Sequence, residues 1–165
     1  MDKIGTLTNI MLIYMSGDAK RIQHFIKVHA FAKMLGVAEE LGTNALFLLE
    51  TAALVHDCGI KNGEKKYGKG HCTGKYQEQE GPQVARELLL KLHYDMAAIE
   101  RVCYLVGHHH TYNDIDGIDY QLLVEADFLA NFYEDSCSKD TIKNVVRRIF
   151  KTKTGIEMCK TMYGI

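Results

Sequence analysis

The 165-residue sequence lacks several features that mark particular protein classes. It has one proline and no tryptophan, which argues against a proline-rich linker or recognition tail. No apolar run reaches the roughly 18–20 residues that a membrane-spanning helix needs. The N-terminus has no convincing signal-peptide cleavage site. A net charge of −1 gives no overall attraction to nucleic acid polymers or anionic membranes. We therefore expect neither as a partner.

The sequence contains five cysteines, and no two of them are close together in the chain. Their number is odd and no CxxC motif occurs, so the sequence does not predict a disulfide framework. A reducing compartment is the default for such a chain, and we expect a cytoplasmic location. The five cysteines are Cys58, Cys72, Cys103, Cys137 and Cys159.

Most of the chain shows helical spacing of apolar residues, and convincing alternating strand patterns are absent. Capping residues predict helix starts at Asp18, Thr43, Asp95, near Asp119, and at Ser138. The first 20 residues and the C-terminus also favour helices. No repeat or domain boundary is evident. The sequence predicts an all-α fold, one domain over residues 1–165, as a bundle of about seven or eight helices with C-terminal helices over 138–163.

Helix ends and loops are predicted from glycine and proline. Gly36 is expected to stop the helix that begins after Asp18, and Gly59 the helix that begins near Thr43. The glycine- and lysine-bearing stretch 59–75 predicts one long loop, of the kind that is usually functional or mobile. Gly81-Pro82 is expected to open the following helix, because proline suits a first turn.

Four helical regions carry metal-ligand side chains on or beside apolar faces. They contribute His24, the pair His56-Asp57, the pair His108-His109, and Asp127. Each alone is more often a satisfied core, cap or ion-paired residue. Together they can converge in the core of a bundle, and imidazole and carboxylate groups suit Zn, Mn, Fe, Co or Ni.

The order of these residues resembles that of the HD superfamily of metal-dependent phosphohydrolases. Arg21 and His24 match an "RxxH" opening, "HDCG" stands where the family often has HDIG, and "EADFLANFYE" resembles its late helix. The resemblance covers roughly residues 18–135, an HD-like core. It implies that His24, His56, Asp57 and Asp127 bind one divalent transition metal (Mn, Fe, Co, Ni or Zn).

The resemblance also raises a second metal site, which stays open. Two-metal relatives add one histidine and a histidine pair, and His108-His109 look like that pair. Glu80 stands where the single histidine would fall, and it can still ligate with Asp57 as a bridge. His71 is the other candidate for that position.

The implied activity is hydrolysis of a small phosphate ester, with a nucleotide or cyclic nucleotide as the expected substrate. A metal-activated water would attack phosphorus while Asp57 orients it or accepts its proton. Arg21 and Lys61 would balance the phosphate charge, and His110 would line the pocket. The sequence does not indicate an oligomeric state.

Three other hypotheses are compatible with the sequence. Some HD relatives activate oxygen at two irons, so a di-iron oxygenase is one. A non-catalytic ligand-binding module that keeps its metal for structure is the second. The third is a structural zinc site formed by Cys58, His71 and Cys72, although these residues lack paired ligand spacing.

Overall fold

A computed structural model describes residues 2–165, and every regular element in that range is a helix. The prediction of an all-α fold is confirmed. The nine helices of the described range are α1 (Lys3–Tyr14), α2 (Ala19–Ala38), α3 (Thr43–Val55), α4 (Ile60–Tyr67), α5 (Gly74–Lys91), α6 (Met96–Val106), α7 (Ile118–Glu134), α8 (Lys139–Ile149) and α9 (Lys153–Tyr163).

Three of the predicted helix starts are built as expected. The side chains of Asp18, Asp95 and Ser138 each accept a hydrogen bond from a backbone N–H in the first turn of the helix that follows. These caps satisfy donors that the helix itself leaves without partners. Two further starts differ slightly, since Gly42 precedes α3 and Gly117 precedes α7.

The prediction of one long loop over residues 59–75 is wrong. Ile60–Tyr67 forms α4, and α5 begins at Gly74, well before Pro82. Pro82 lies inside α5 and has no N–H to donate to the carbonyl four residues earlier, so the helix continues with one bond fewer.

The prediction that Gly36 ends the helix after Asp18 is also wrong. Helix α2 runs on to Ala38, and Gly36 is buried against the side chains of Leu46 and Leu49.

Gly59 does not end α3 through a left-handed conformation. Its φ is −72°, and it precedes α4 directly. A Cβ at Gly59 would lie 2.5 Å from the backbone nitrogen of Gly81 and 2.8 Å from the carbonyl oxygen of Gln77. Glycine is required because the α3–α4 turn lies directly against the backbone of α5.

The core is built around α3 and α7. Every residue from Leu49 to Val55 is buried, as are eleven residues of α7. Helix α2 packs on both, α6 packs on α3, and α5 packs on α6. This arrangement places the turn after α3 and the turn after α6 beside the middle of α2 and α7. Those four segments carry the candidate ligands.

Candidate metal centre

Four side chains from three segments meet at one point. His24 lies on α2, His56 and Asp57 lie in the turn after α3, and Asp127 lies on α7. The Nε2 atom of His24 is 3.1 Å from Nε2 of His56, 3.2 Å from Oδ1 of Asp127 and 3.5 Å from Oδ2 of Asp57. Nε2 of His56 lies 3.5 Å from Asp57 Oδ2 and 3.7 Å from Asp127 Oδ1.

These spacings suit a shared cation. Ligands about 2.1 Å from one ion lie roughly 3.0 Å apart in an octahedral arrangement and roughly 3.4 Å apart in a tetrahedral one. His56 is fully buried, while His24 and Asp127 are 7% and 4% exposed. Buried acceptors at such distances repel one another unless a cation lies between them. The donor set therefore fits a divalent transition metal.

The imidazole rings are oriented by bonds from their other nitrogens. Nδ1 of His56 donates to the carbonyl of Ala53 at 2.8 Å, and Nδ1 of His24 donates to Oε2 of Glu134 at 2.8 Å. Both bonds place the proton on Nδ1 and leave Nε2 to face the cluster. Metal-binding histidines are commonly held in this way.

His24 and the carboxylates of the cluster shift one another's pKa values toward the charged forms. Burial lowers the pKa of His24, but Asp127 and Asp57 outweigh it and raise the value to about 9. Burial would raise the pKa of Asp57, yet His56 and His109 hold it well below its usual range. Burial lowers the pKa of His56. The cluster thus favours ionised carboxylates around a positive group, which is a proton on His24 or a metal ion.

A second group of ligand atoms adjoins the first and shares Asp57 with it. Asp57, His109 and His110 each offer one atom, and these atoms lie within 4.8 Å of one another. Nε2 of His109 is buried without a hydrogen-bond partner and lies 3.5 Å from Oδ1 of Asp57. Its Nδ1 donates to the carbonyl of Val106 at 2.8 Å, so Nε2 is again the free atom. This unpartnered nitrogen fits a ligand of a second ion.

The histidine pair at this group is His109-His110 and not the expected His108-His109. Nδ1 of His108 donates to the carbonyl of Tyr104 at 2.7 Å, and its ring stacks on the Tyr104 ring with centroids 4.1 Å apart. His110 makes bonds of its own, with Nε2 2.7 Å from the side-chain oxygen of Gln77. Ligation by His110 would exchange one of its present partners for the ion.

The structure does not bring Glu80 or His71 to the cluster. Glu80 accepts a bond from Lys66 at 2.7 Å, which joins α5 to α4, and His71 is exposed in the turn between these helices. The proposed zinc site is not formed either. Cys58 is buried with its thiol 3.3 Å from the carbonyl of Gly81, and Cys58, His71 and Cys72 are not a ligand group in residues 2–165.

A cleft of about 230 Å³ opens onto the first cluster. Sequence reasoning missed five of its polar residues, which are Lys20, Gln77, Asn131, Glu134 and Asp135. Asn131 donates from Nδ2 to Oδ1 of Asp127 at 2.9 Å, and its position one turn after Asp127 was the available signal. The cleft is lined by Asp18, Lys20, Arg21, His24, Asp57, Ile60, Gln77, His110, Asp127, Asn131, Glu134 and Asp135.

The two expected phosphate-binding side chains differ in placement. Arg21 lines the cleft, where its guanidinium donates to Asp18 at 2.6 Å and to the two carboxylate oxygens of Glu64 at 2.7 and 3.2 Å. These bonds leave Nε–H and one further N–H for another acceptor. Lys61 does not line the cleft. Its ammonium donates to the carbonyl of Tyr14 and lies 5.2 Å from the centroid of that ring, so it joins α4 to α1.

Comparisons with known proteins place these features in a family. No curated protein gives a significant sequence match. A crystal structure described as a predicted HD superfamily hydrolase from an uncultured Thermotogales bacterium matches with a TM-score of 0.69 and 22% identity, over 96% of this chain and 84% of that one. No helix in residues 2–165 is long and apolar enough to cross a membrane. The family model for the HD domain matches residues 21–148, and the chain belongs to the HD domain family.

Proposed function

We propose that this protein is a metal-dependent hydrolase of small phosphate esters, with a nucleotide as the expected substrate class. The observation that carries the proposal is the convergence of His24, His56, Asp57 and Asp127 within 3.1–3.7 Å at the floor of an open cleft. A bound divalent metal would supply a Lewis acid and a water of lowered pKa.

Asp57 is the central residue of the proposed mechanism. Its low pKa keeps the carboxylate ionised at neutral pH, with Oδ2 toward His24 and His56 and Oδ1 toward His109. An ionised carboxylate accepts hydrogen bonds and so can orient a water for attack in line with the leaving oxygen. Asn131 fixes the Asp127 carboxylate through its amide.

The phosphate would be bound by the cations at the mouth of the cleft. Lys20 and Arg21 line the cleft together with several carboxylates. The carboxylates repel an anionic substrate, so we expect its phosphate to bind beside these two cations. The remaining N–H groups of Arg21 can donate to a phosphate oxygen without breaking its bond to Glu64. Lys61, which was expected to balance the phosphate charge, instead donates its ammonium proton to the carbonyl of Tyr14.

The volume of the cleft limits what it can enclose. About 230 Å³ is below the roughly 300–1,000 Å³ typical of pockets that enclose a drug-sized ligand. We expect the cleft to hold a phosphate and the group attached to it, with the rest of a nucleotide lying outside.

Metal analysis combined with a panel of phosphate esters tests the proposal. Purified protein should contain one or two transition metals per chain and release phosphate from a nucleotide when Mn²⁺ or Co²⁺ is supplied. His56→Ala and Asp57→Ala should lose metal and activity together. Phosphate release that survives in metal-depleted Asp57→Ala would contradict the assignment.

One observation favours a second candidate, an oxygen-activating di-iron site. The buried and unpartnered Nε2 of His109 beside Asp57 suits a second ion close to the first. Two irons per chain with a mixed-valence spectroscopic signal, and no phosphate release with any metal, would favour the oxygenase. Phosphate release with Mn²⁺ or Co²⁺ would oppose it.

A further inference from the structure

A second depression adjoins the cleft and shares His110 with it. It measures about 430 Å³ and is lined by His110, Thr111, Tyr112, Asn113, Arg148 and Ile149. We refer to it as the Arg148 depression. Because His110 borders both spaces, the depression is a neighbour of the cleft toward which a longer substrate bound at the metal centre would extend.

The two spaces differ in charge. Five carboxylates line the cleft, those of Asp18, Asp57, Asp127, Glu134 and Asp135, whereas none lines the Arg148 depression. Arg148 also makes no ion pair with any carboxylate in residues 2–165, although Arg21, Arg86 and Arg101 each do. The depression therefore presents a guanidinium with its donors available.

The segment that carries Arg148 is fixed to the core. The carbonyl of the next residue, Ile149, accepts a bond from Nε2 of Gln121 at 2.9 Å, and the backbone N–H of Lys151 donates to buried Glu125 at 2.7 Å. Gln121 and Glu125 both lie on α7, the helix that carries Asp127. The guanidinium thus extends from a backbone whose position relative to the metal centre is set.

The polar groups around Arg148 suit an oxyanion. Tyr112 offers a hydroxyl, Asn113 offers an amide, and an arginine fork matches the oxygens of phosphate, whereas the Thr111 hydroxyl already donates to Glu78 at 3.0 Å. We infer that the substrate carries a second phosphate group, which binds in the Arg148 depression while the phosphate to be hydrolysed lies at the metal centre. This inference rests on the proposed function and narrows its substrate class to esters with two separate phosphate groups.

Paired substrates that differ by one phosphate test the inference. Adenosine 5′-phosphate and adenosine 3′,5′-bisphosphate would be compared as substrates of the metal-loaded wild-type protein. We expect a KM about tenfold lower for the bisphosphate, as one charge-assisted interaction provides. Arg148→Ala should raise the KM for the bisphosphate about tenfold and leave kcat and the kinetics of the monophosphate within roughly twofold.

Arg147→Ala is the matched control. Arg147 is the neighbouring residue on the same helix, but it lines a separate groove with Lys143 and Phe150. Its removal takes away the same charge and should leave both KM values unchanged. A loss of the same size in Arg147→Ala and Arg148→Ala would overturn the inference, because it would show a general charge effect and no specific contact.

The outcomes separate this inference from the proposed function. If both compounds are hydrolysed but the bisphosphate has no advantage that Arg148→Ala removes, the inference fails and the proposed function stands. If neither compound is hydrolysed, the proposed function fails for nucleotide substrates. Calorimetry on the metal-loaded wild-type and Arg148→Ala proteins would then give the dissociation constants of both compounds. Tighter binding of the bisphosphate that requires Arg148 would then still support the second phosphate site, and equal binding would overturn it.

Discussion

The Nε2 atoms of His24 and His56 face each other at 3.1 Å, and each ring donates through Nδ1 to another group. Two neutral rings held in this way would bring two lone pairs together. A positive charge between them removes the repulsion, and the surrounding carboxylates stabilise it. We therefore expect His24 to hold a proton in the metal-free protein, which a bound metal ion would replace.

The stability of the metal-free protein should fall as pH rises through the neutral range. The pKa of His24 is about 9 in the folded protein and 6.5 for an ordinary histidine, so the folded state holds a proton that the unfolded chain loses. This contribution is complete below pH 6.5 and is lost as pH approaches 9. The pKa of His109 is also raised: burial lowers it, but the nearby Asp57 carboxylate outweighs burial.

Denaturant unfolding of the metal-free protein at several pH values from 6.5 to 7.5 would measure this dependence, a window in which unfolded cysteines stay mostly protonated. His24→Gln serves as the comparison and should show a shallower decline, because it removes the largest titrating group. A wild-type stability that rises with pH in this window would show that His24 is not protonated in the folded state.

Glu134 should control metal affinity through His24. Its Oε2 accepts the Nδ1 proton of His24 at 2.8 Å, which orients the ring and increases the basicity of Nε2. Glu134→Gln should weaken metal binding roughly 10- to 100-fold, as measured by titration against a chelator of known affinity. Asp135→Asn is the control, since it removes the same charge from the next residue, which also lines the cleft. Equal losses in both variants would point to net charge instead of the bond.

Gly59→Ala should disturb the metal centre from outside it. The added Cβ would lie 2.5 Å from the backbone nitrogen of Gly81, and backbone cannot move aside as a flexible side chain can. We expect a loss of about 1–3 kcal/mol in the free energy of unfolding, together with weaker metal binding as the turn bearing His56 and Asp57 shifts.

Gly42→Ala is the matched control for that substitution. Gly42 also precedes a helix with a negative φ, but a Cβ there meets nothing within 4 Å. Its free energy of unfolding should stay within about 0.5 kcal/mol of wild type. Unchanged stability and metal affinity in Gly59→Ala would contradict the close approach of the α3–α4 turn to α5.

Substitution of Arg21 should impair phosphate-ester hydrolysis, whereas substitution of Lys61 should not. Arg21 lines the cleft and Lys61 does not. Arg21→Ala should raise KM about tenfold or more with metal content unchanged, because a charge-assisted bond to phosphate is lost. Lys61→Ala should leave kcat/KM within roughly twofold and act mainly on stability, since its bond to Tyr14 joins α4 to α1. A larger kinetic loss in Lys61→Ala than in Arg21→Ala would reverse this assignment.

The parts of the fold that depend on local chemistry could be predicted from the sequence. Asp18, Asp95 and Ser138 cap helices because a short polar side chain satisfies backbone donors in its own turn, which requires no knowledge of the rest of the molecule. The convergence of His24, His56, Asp57 and Asp127 was also expected, through the ordered motif and the apolar faces on which these residues lie.

The parts of the structure that depend on packing between helices could not be predicted from the sequence. Three consecutive histidines lie in the turn that follows α6, where helix geometry does not fix the direction of each side chain. Which of them meets Asp57 depends on how α6 packs on α3 and α5, so His109 and His110 were distinguishable from His108 only in three dimensions. Gly59 is similar, because the reason for it is a contact with Gly81, far along the chain.

Asp57 contributes to both groups of ligand atoms, so the two groups do not titrate as independent sites. An ion bound at the first group would draw on the carboxylate charge that the second group needs and would repel a second cation. If ions bind at both groups, occupancy of one should lower the affinity of the other, and by linkage the decrease is the same in both directions. Metal titration of this protein should show two unequal steps, with negative cooperativity transmitted through a single side chain.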